Sequence, residues 1–467
     1  MENSKLARLL RTLSPSEVKG FDAYLRAFHA GEEVPIALFG HLRPFYPAFK
    51  AKELDKGRIE QELGLAQTEK HKRVSNEASK LYAWLLNFLA WEKFRSEEHK
   101  PERYFMAMEA LREKKLEQEF FSLAKRTSAW LDKTPASAWK PLHYMRLAHY
   151  KYYYTPTQKW KTDNGGIEEA AAQLHHFFNT ANLKYLCELR SRARALQEEK
   201  GTVERYKLPD AVHSGQVFML ARLYGLCEKM LEKDDDEHFD DFYKAFESNK
   251  APLGKEDEHV LLTYLMNAIA RRLPRDQERW APQAFRLYQR ALEKGLLITD
   301  GYLSDLTFHN IIQLACGVHD LPWAEQFIEK YAGFLVEEGR DSTIALARAR
   351  IAFEQADFEQ PLELLSGIEF KDHSFSLQAK LIQVRCFYEL EEAEALDSFI
   401  KSFGLFLLRN KVVNKQGALK AYQNFLKVLK MMAGPKPSRR KIEAEMEKYD
   451  QLVCKSWLKS QLESLPE

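Results

Sequence analysis

The residue types able to carry chemistry are all present, but their spacing assigns them to other work. Fourteen histidines include one adjacent pair, His175-His176, and loosely spaced neighbours such as His143 and His149. A metal site on a helix needs ligands one turn apart, as in His-Glu-x-x-His, whereas adjacent residues point about 100° apart and cannot easily clamp one ion. Five cysteines (Cys187, Cys227, Cys316, Cys386 and Cys454) stand tens of residues apart. That spacing suits neither a zinc knuckle nor a disulfide framework, and the thiols read as buried apolar fillers. Gly434-Pro435-Lys436 lacks the spacing and the free backbone amides of a phosphate loop, and no Gly-x-Ser-x-Gly elbow occurs. The run Asp234-Asp235-Asp236 is the negative charge expected where a helix presents the positive end of its dipole. The expectation is therefore no catalytic residue, no metal site and no cofactor.

The charge balance narrows the partners. Lys and Arg number 70 against 68 Asp and Glu, a formal charge of +2, so the chain exerts little long-range pull on nucleic acid or anionic lipid. Hydrophobic residues at 45% and charged residues at 30% describe a folding chain with a well-solvated surface. No stretch approaches the ~18 uncharged apolar residues of a membrane span. The opening MENSKLARLLRTLSPSE has neither the apolar block nor the cleavage site of a secretory signal. These features predict no membrane partner and a cytoplasmic location.

Helices must do the positioning. Gly (20) and Pro (17) are sparse and fall mostly between periodic segments, and runs of β-branched residues with period two are absent, so no sheet is expected. In LSPSEVKGFDAYLRAF, Ser14 is placed to cap a helix, Pro15 suits its first turn, and Glu17 completes a capping box. An aromatic link over 41–49 and a short helix from Ile59 ending at Gly64 follow, then a long helix from about Glu69 to Phe94. Its segment ASKLYAWLLNFLAWEKF is apolar round so much of its circumference that burial on several sides is expected. From Pro101 the pattern becomes successive helix pairs of 30 to 40 residues, with QKWKTDNGG (158–166) and EKDDDEHFDD (232–241) as turns or helix starts. MMAGPKPSRRK (431–441) breaks the run before one last helix carrying Ile442, Met446, Tyr449, Leu452 and Trp457. The resulting division is an N-terminal helical module (1–98), an array of helix pairs (99–430) and a capping segment (431–467).

The sharpest internal pattern lies between residues 280 and 410. Ala395 follows Pro361 by 34 residues and Phe399 follows Leu365 by 34, while Ala324 and Ile328 follow Ala284 and Tyr288 by 40. A small residue at a helix crossing lets two helices approach, and the large residue four positions on fills the next groove. On these residues, with the acidic turns at Asp320 and Asp357-Phe358, about a third of the chain resembles tetratricopeptide (TPR) repeats in degenerate form. Pro361 stands where that family carries a small alanine. The resemblance implies an all-α, right-handed superhelical array of antiparallel helix pairs, whose concave wall is lined by first helices.

It also implies a function. A TPR-like groove takes up a peptide or helix of a partner protein, and the groove-facing positions are expected at His309 and Gln313, then Leu346, Arg350 and Phe353, then Lys380, Val384 and Phe387. Arg350 and Lys380 would supply charge-assisted bonds to an extended acidic peptide. Tyr150, Tyr152, Tyr153, Tyr154 and Trp160 form an aromatic cluster of the kind enriched at interfaces, or an inter-repeat core. The alternative is nucleic-acid binding. ALEKGLLITDGYLSDLTFHNIIQLACGVHDLPWAEQF has the cadence of pentatricopeptide repeats, which bind single-stranded RNA. IEQELGLAQTEKHKRVSNEASKL, with Lys70, Lys72 and Arg73, faintly resembles a helix-turn-helix. The near-zero net charge argues against both.

Overall fold

The computed structural model describes residues 1–49, 54–65, 72–154, 165–196, 203, 218–273, 275–409, 416–434 and 437–463. It is all-helical apart from one two-stranded ribbon among the described residues, and no described helix is long and apolar enough to cross a membrane. The chain divides into two compact units: residues 1–134 with 138–179, and residues 135–137 with 180–467.

The first unit opens with α1 (Lys5–Arg11), α2 (Pro15–Phe28), α3 (Glu33–Leu42) and α4 (Lys56–Glu62), which gather round α5 (Lys72–Arg95). The capping box at α2 forms: Ser14 accepts from the Glu17 amide, and the Glu17 carboxylate accepts from the Ser14 amide at 2.6 Å. Gly64 ends α4 in the left-handed region, as its sequence position predicts. Part of the expected aromatic link belongs instead to α3, which runs on to Leu42. The core is Leu6, Leu10, Phe21, Leu25, Phe39 and the α5 stripe Val74, Leu81, Leu85 and Phe88. A Cβ on Gly20 would lie 3.0 Å from the tip of the Phe88 ring, so the absence of a side chain eases the close approach of α2 to α5. Burial of α5 is narrower than its composition suggests. One stripe is sealed, while Leu86 and Trp91 on its other sides are each 44% exposed. Next come α6 (Lys100–Glu113), α7 (Glu117–Lys133), α8 (Lys140–Tyr154) and the start of α9 (Gly165–Leu196). Phe105, Phe120 and Leu131 are buried here, with Tyr150 and Tyr154 packed against them; Tyr153 is exposed, and Trp160 lies outside the described residues.

The second unit contains the end of α9, then α10 (Met219–Lys233), α11 (Asp236–Ser248), α12 (Lys255–Arg272), α13 (Gln277–Glu293), α14 (Asp305–Gly317), α15 (Leu321–Tyr331), α16 (Arg340–Glu354), α17 (Glu359–Leu365), α18 (His373–Glu389), α19 (Ala393–Arg409), α20 (Gln416–Met432), α21 (Arg439–Met446) and α22 (Lys455–Glu463). From α10 to α21 each helix packs on the next, and α10 on α12, α14 on α16 and α16 on α18 also touch. The residues of the spacing pattern fall together: Ala284, Ala324, Pro361 and Ala395 all lie in second helices of successive pairs, the first three fully buried.

Three turns within pairs share one geometry. His319, Ala356 and Glu391 are left-handed (φ +58°, +61° and +56°) and follow the ends of α14, α16 and α18. The amides of Asp320, Asp357 and Glu392 reach back to the carbonyls of Ala315, Ala352 and Phe387 at 3.0, 3.0 and 3.1 Å, which closes each helix with a Schellman motif. Asp320 and Asp357 then accept from the amides of Trp323 and Gln360, so one aspartate ends one helix and starts the next.

Two expectations are corrected. A ribbon forms where no sheet was expected: β1 (Ile298–Thr299) pairs with β2 (Tyr302–Leu303) round Asp300-Gly301, both left-handed, the turn chemistry that matches strand twist. The single last helix is two. Ile442 and Met446 belong to α21, Trp457 to α22, and a bend through Tyr449, Leu452 and the left-handed Cys454 separates them.

Candidate partner-binding face

The groups of ordinary catalytic interest have structural surroundings. Cys187, Cys227, Cys316 and Cys386 are buried, and burial pushes the Cys316 and Cys386 thiols up to about 12, far from thiolates. Asp234 is the left-handed residue between α10 and α11, and Asp235 caps α11 through the His238 amide at 2.9 Å. His175 is exposed and His176 half-buried on α9; Lys70 and the Pro435-Lys436 pair lie outside the described residues. Among the described residues no group of three or more His, Cys, Asp or Glu is placed to hold a metal ion.

Arginines join the helices of the first pairs of the second unit, and each meets carboxylates. Arg190 on α9 donates to Glu228 at 2.7 Å and Glu232 at 3.0 Å on α10. Arg272 on α12, 2% exposed, lies against the rings of Phe239 and Trp280, 4.9 and 5.8 Å from their centroids, and donates to Asp236 at 2.9 Å. Arg279 pairs with Asp236 and Asp240, and Arg290 with Glu247 and Glu258. Paired across helices and partly desolvated, these charges fix how neighbours sit.

The pattern changes at α14, α16 and α18. Arg350 donates from Nη1 to Gln313 Oε1 at 3.1 Å and from Nη2 to Gln378 Oε1 at 2.8 Å, which links three successive first helices by amide oxygens. Among the described residues Arg350, Arg385 and Lys380 meet amide oxygens, a backbone carbonyl and aromatic rings rather than a carboxylate ion-pair partner. Burial lowers the Arg350 pKa from its ordinary value, and the neighbouring Arg385 acts in the same direction. One turn before Gln313 lies His309, 3% exposed, its ring 4.4 Å from that of Phe375 and its Nε2 without a hydrogen-bond partner. Burial, helped by Arg350, pushes the His309 pKa down to about 3, so the imidazole is neutral.

Comparison with protein-family models, with curated proteins and with solved structures finds no match for this chain. The face must therefore be read from its own chemistry.

The expected groove residues do not all share it. Gln313 and Arg350 meet as described, His309 and Leu346 are buried beneath, and the buried Phe353 ring is covered by the Arg385 guanidinium at 4.2 Å. Lys380 and Phe387 lie elsewhere: Lys380 Nζ sits 5.6 and 5.1 Å from the Phe399 and Phe406 rings, and Phe387 is 5.3 Å from Phe399, all on the second helix α19. Val384 is buried in the same core. The residues of α18 that share the Arg350 side are Gln378, Arg385 and Glu389, spaced i, i+7 and i+11 on one stripe. The turns locate them. Gln313, Arg350 and Arg385 each stand six residues before the left-handed residue of their pair, at 319, 356 and 391. A strict period of 34 lands one residue short on α18, and one residue on a helix is a rotation of about 100°.

Proposed function

We propose that this chain is a non-enzymatic, cytoplasmic scaffold in which the helix pairs of residues 219–446 stack as a TPR-like superhelical array, and that the first-helix face around Arg350 takes up an extended acidic segment of a partner protein. The observation that carries the reading is Arg350 itself. The arginines that join α9 to α13 are each matched to carboxylates of this chain, whereas Arg350 is held by two neutral amide oxygens and, like the neighbouring Arg385, has a charge that no carboxylate of the described residues pairs, which suits a carboxylate from outside. Sequential packing supports the array, because each helix from α10 to α21 packs on the next and the first helices α14, α16 and α18 also meet one another. The matched arginines of α9, α12 and α13 favour a protein over a nucleic acid, since they leave no continuous free basic stripe among them.

The test is affinity capture from native lysate with the tagged full chain, with and without nuclease, beside an Arg350→Glu variant. The expected result is a stoichiometric, nuclease-resistant protein that the variant no longer retains. Recovery of nucleic acid alone, lost on nuclease treatment, would overturn the reading.

A further inference from the structure

Helix α9 buries one side and leaves an apolar one in the open. Ala170, Thr180, Leu186 and Cys187 are buried, and the Phe177 ring meets that of Trp139 at 5.5 Å. The other side carries Ile167, Leu174, Phe178 and Tyr185, each between 37 and 58% exposed. Exposed Ala171 and half-buried Ala181 fall between them. These six residues follow one another at gaps of four, three, four, three and four, the alternating spacing of a coiled-coil seam. Single exposed apolar side chains are ordinary on a protein surface, whereas four large ones in line on one helix mark a contact. Glu188 and Arg192 take the next two places, so the apolar seam ends at Tyr185 and spans about 27 Å.

The order of the seam says what covers it. Read from either end it runs large, small, large, large, small, large, and position 176 is its centre. A two-fold contact requires that one residue meet a second while the second meets the first. An antiparallel pair of α9 helices satisfies this in every layer: Ile167 meets Tyr185, Ala171 meets Ala181, and Leu174 meets Phe178. Each layer then joins one aliphatic side chain to one ring, or two alanines, so bulk is shared evenly and the alanines let the backbones close in. A parallel pair would instead set Phe178 on Phe178 and Tyr185 on Tyr185 at one end, against Ile167 on Ile167 at the other. We propose that α9 is a self-association surface and that its occupant is α9 of a second copy of this chain, running antiparallel. The seam contains none of the residues around Arg350, so it stands whether or not that face takes an acidic segment.

Sedimentation velocity of the full chain tests this. The seam is short, so the expected result is a monomer–dimer equilibrium whose dimer fraction rises between about 1 and 100 μM. Leu174→Glu alone and Phe178→Lys alone should each stay monomeric over that range with native helicity, because both side chains are exposed and outside the core. Mixed in equal amounts, the two variants should regain the dimer. In an antiparallel pair the new carboxylate faces the new ammonium in one layer, while Phe178 still meets Leu174 in the other. A wild-type chain that stays monomeric at about 100 μM would overturn the proposal, as would single variants that dimerise like wild type. A mixture that stays monomeric would overturn it too, since only the antiparallel order brings these two positions together. Arg350→Glu should leave the equilibrium unchanged, so this proposal and the capture of an acidic segment fail separately.

Discussion

Arg350 on α16 and Gln313 on α14 stand at the same place in successive helix pairs, six residues before a left-handed turn residue, and are joined by a 3.1 Å hydrogen bond. The bond ties one first helix to the next, and Gln378 extends it to a third. Replacing Arg350 by alanine removes both bonds and leaves two amide oxygens to water. Because the guanidinium is half-buried and both bonds are charge-assisted, the expected loss is about 2–3 kcal/mol in urea unfolding. Capture of the proposed partner should fall by far more, and a loss of stability above about 4 kcal/mol would make Arg350 a structural keystone instead.

His309 gives a pH dependence with a definite sign. Its folded pKa, about 3, lies below the ordinary value of 6.5, so protons bind the unfolded chain preferentially. Stability from this group is complete above pH 6.5 and declines as pH falls through 6.5 toward 3. At pH 5 the loss is about 2 kcal/mol relative to neutral pH, from 1.36 kcal/mol per unit. His309→Phe should remove that component, and identical acid slopes for variant and wild type in denaturant titrations would refute the assignment.

The turn residues can be tuned. Ala356 holds a left-handed conformation that costs an L-residue roughly 1 kcal/mol and glycine little. Ala356→Gly should therefore raise stability by about 0.5 kcal/mol, once the added freedom of the unfolded chain is offset. Gly295, left-handed at φ +65° with open space where a Cβ would go, makes the reverse test: Gly295→Ala should cost about 1 kcal/mol through backbone strain alone. Midpoints of urea unfolding with unchanged slopes would measure both.

Asp257, 2% exposed, accepts from Tyr224 Oη at 2.6 Å and from Lys184 Nζ at 3.1 Å, which joins α12 to α10 and α9. Asp257→Ala leaves a buried phenol hydroxyl without this acceptor and is expected to cost roughly 2–3 kcal/mol. Asp257→Asn keeps an acceptor oxygen and should cost less. Equal losses for the two substitutions would argue that packing, not hydrogen bonding, sets the effect.

Cysteine labelling distinguishes packing from reactivity. Four thiols are sealed in the core and Cys454 is half-buried in the bend before α22. Under native conditions an alkylating reagent should modify Cys454 first, and mass spectrometry would locate the adduct.

Much of the local structure was legible because it depends on short-range chemistry. Ser14, Pro15 and Glu17 fix a helix start without help from the rest of the chain, and Gly64 fixes an end. Asp320 and Asp357 mark turns because a side-chain carboxylate can cap a helix three residues ahead. The ribbon at 298–303 is equally local, and Asp300-Gly301 was the signal that could have found it.

What escaped the sequence depends on rotation and on partners far along the chain. Apolar periodicity makes α5 amphipathic, but only packing decides that Leu81, Leu85 and Phe88 are sealed while Leu86 and Trp91 stay exposed. On α18 a fixed period selects Lys380 and Phe387, whereas the turn at Glu391 turns Arg385 toward Arg350 and sends Lys380 to the rings of α19. Composition, caps and periodicity alone determine an all-helical chain of paired elements, since those are properties of neighbouring residues. Which residues share a face was settled by tertiary structure, because each residue of slip turns a side chain through more than a quarter of a circle.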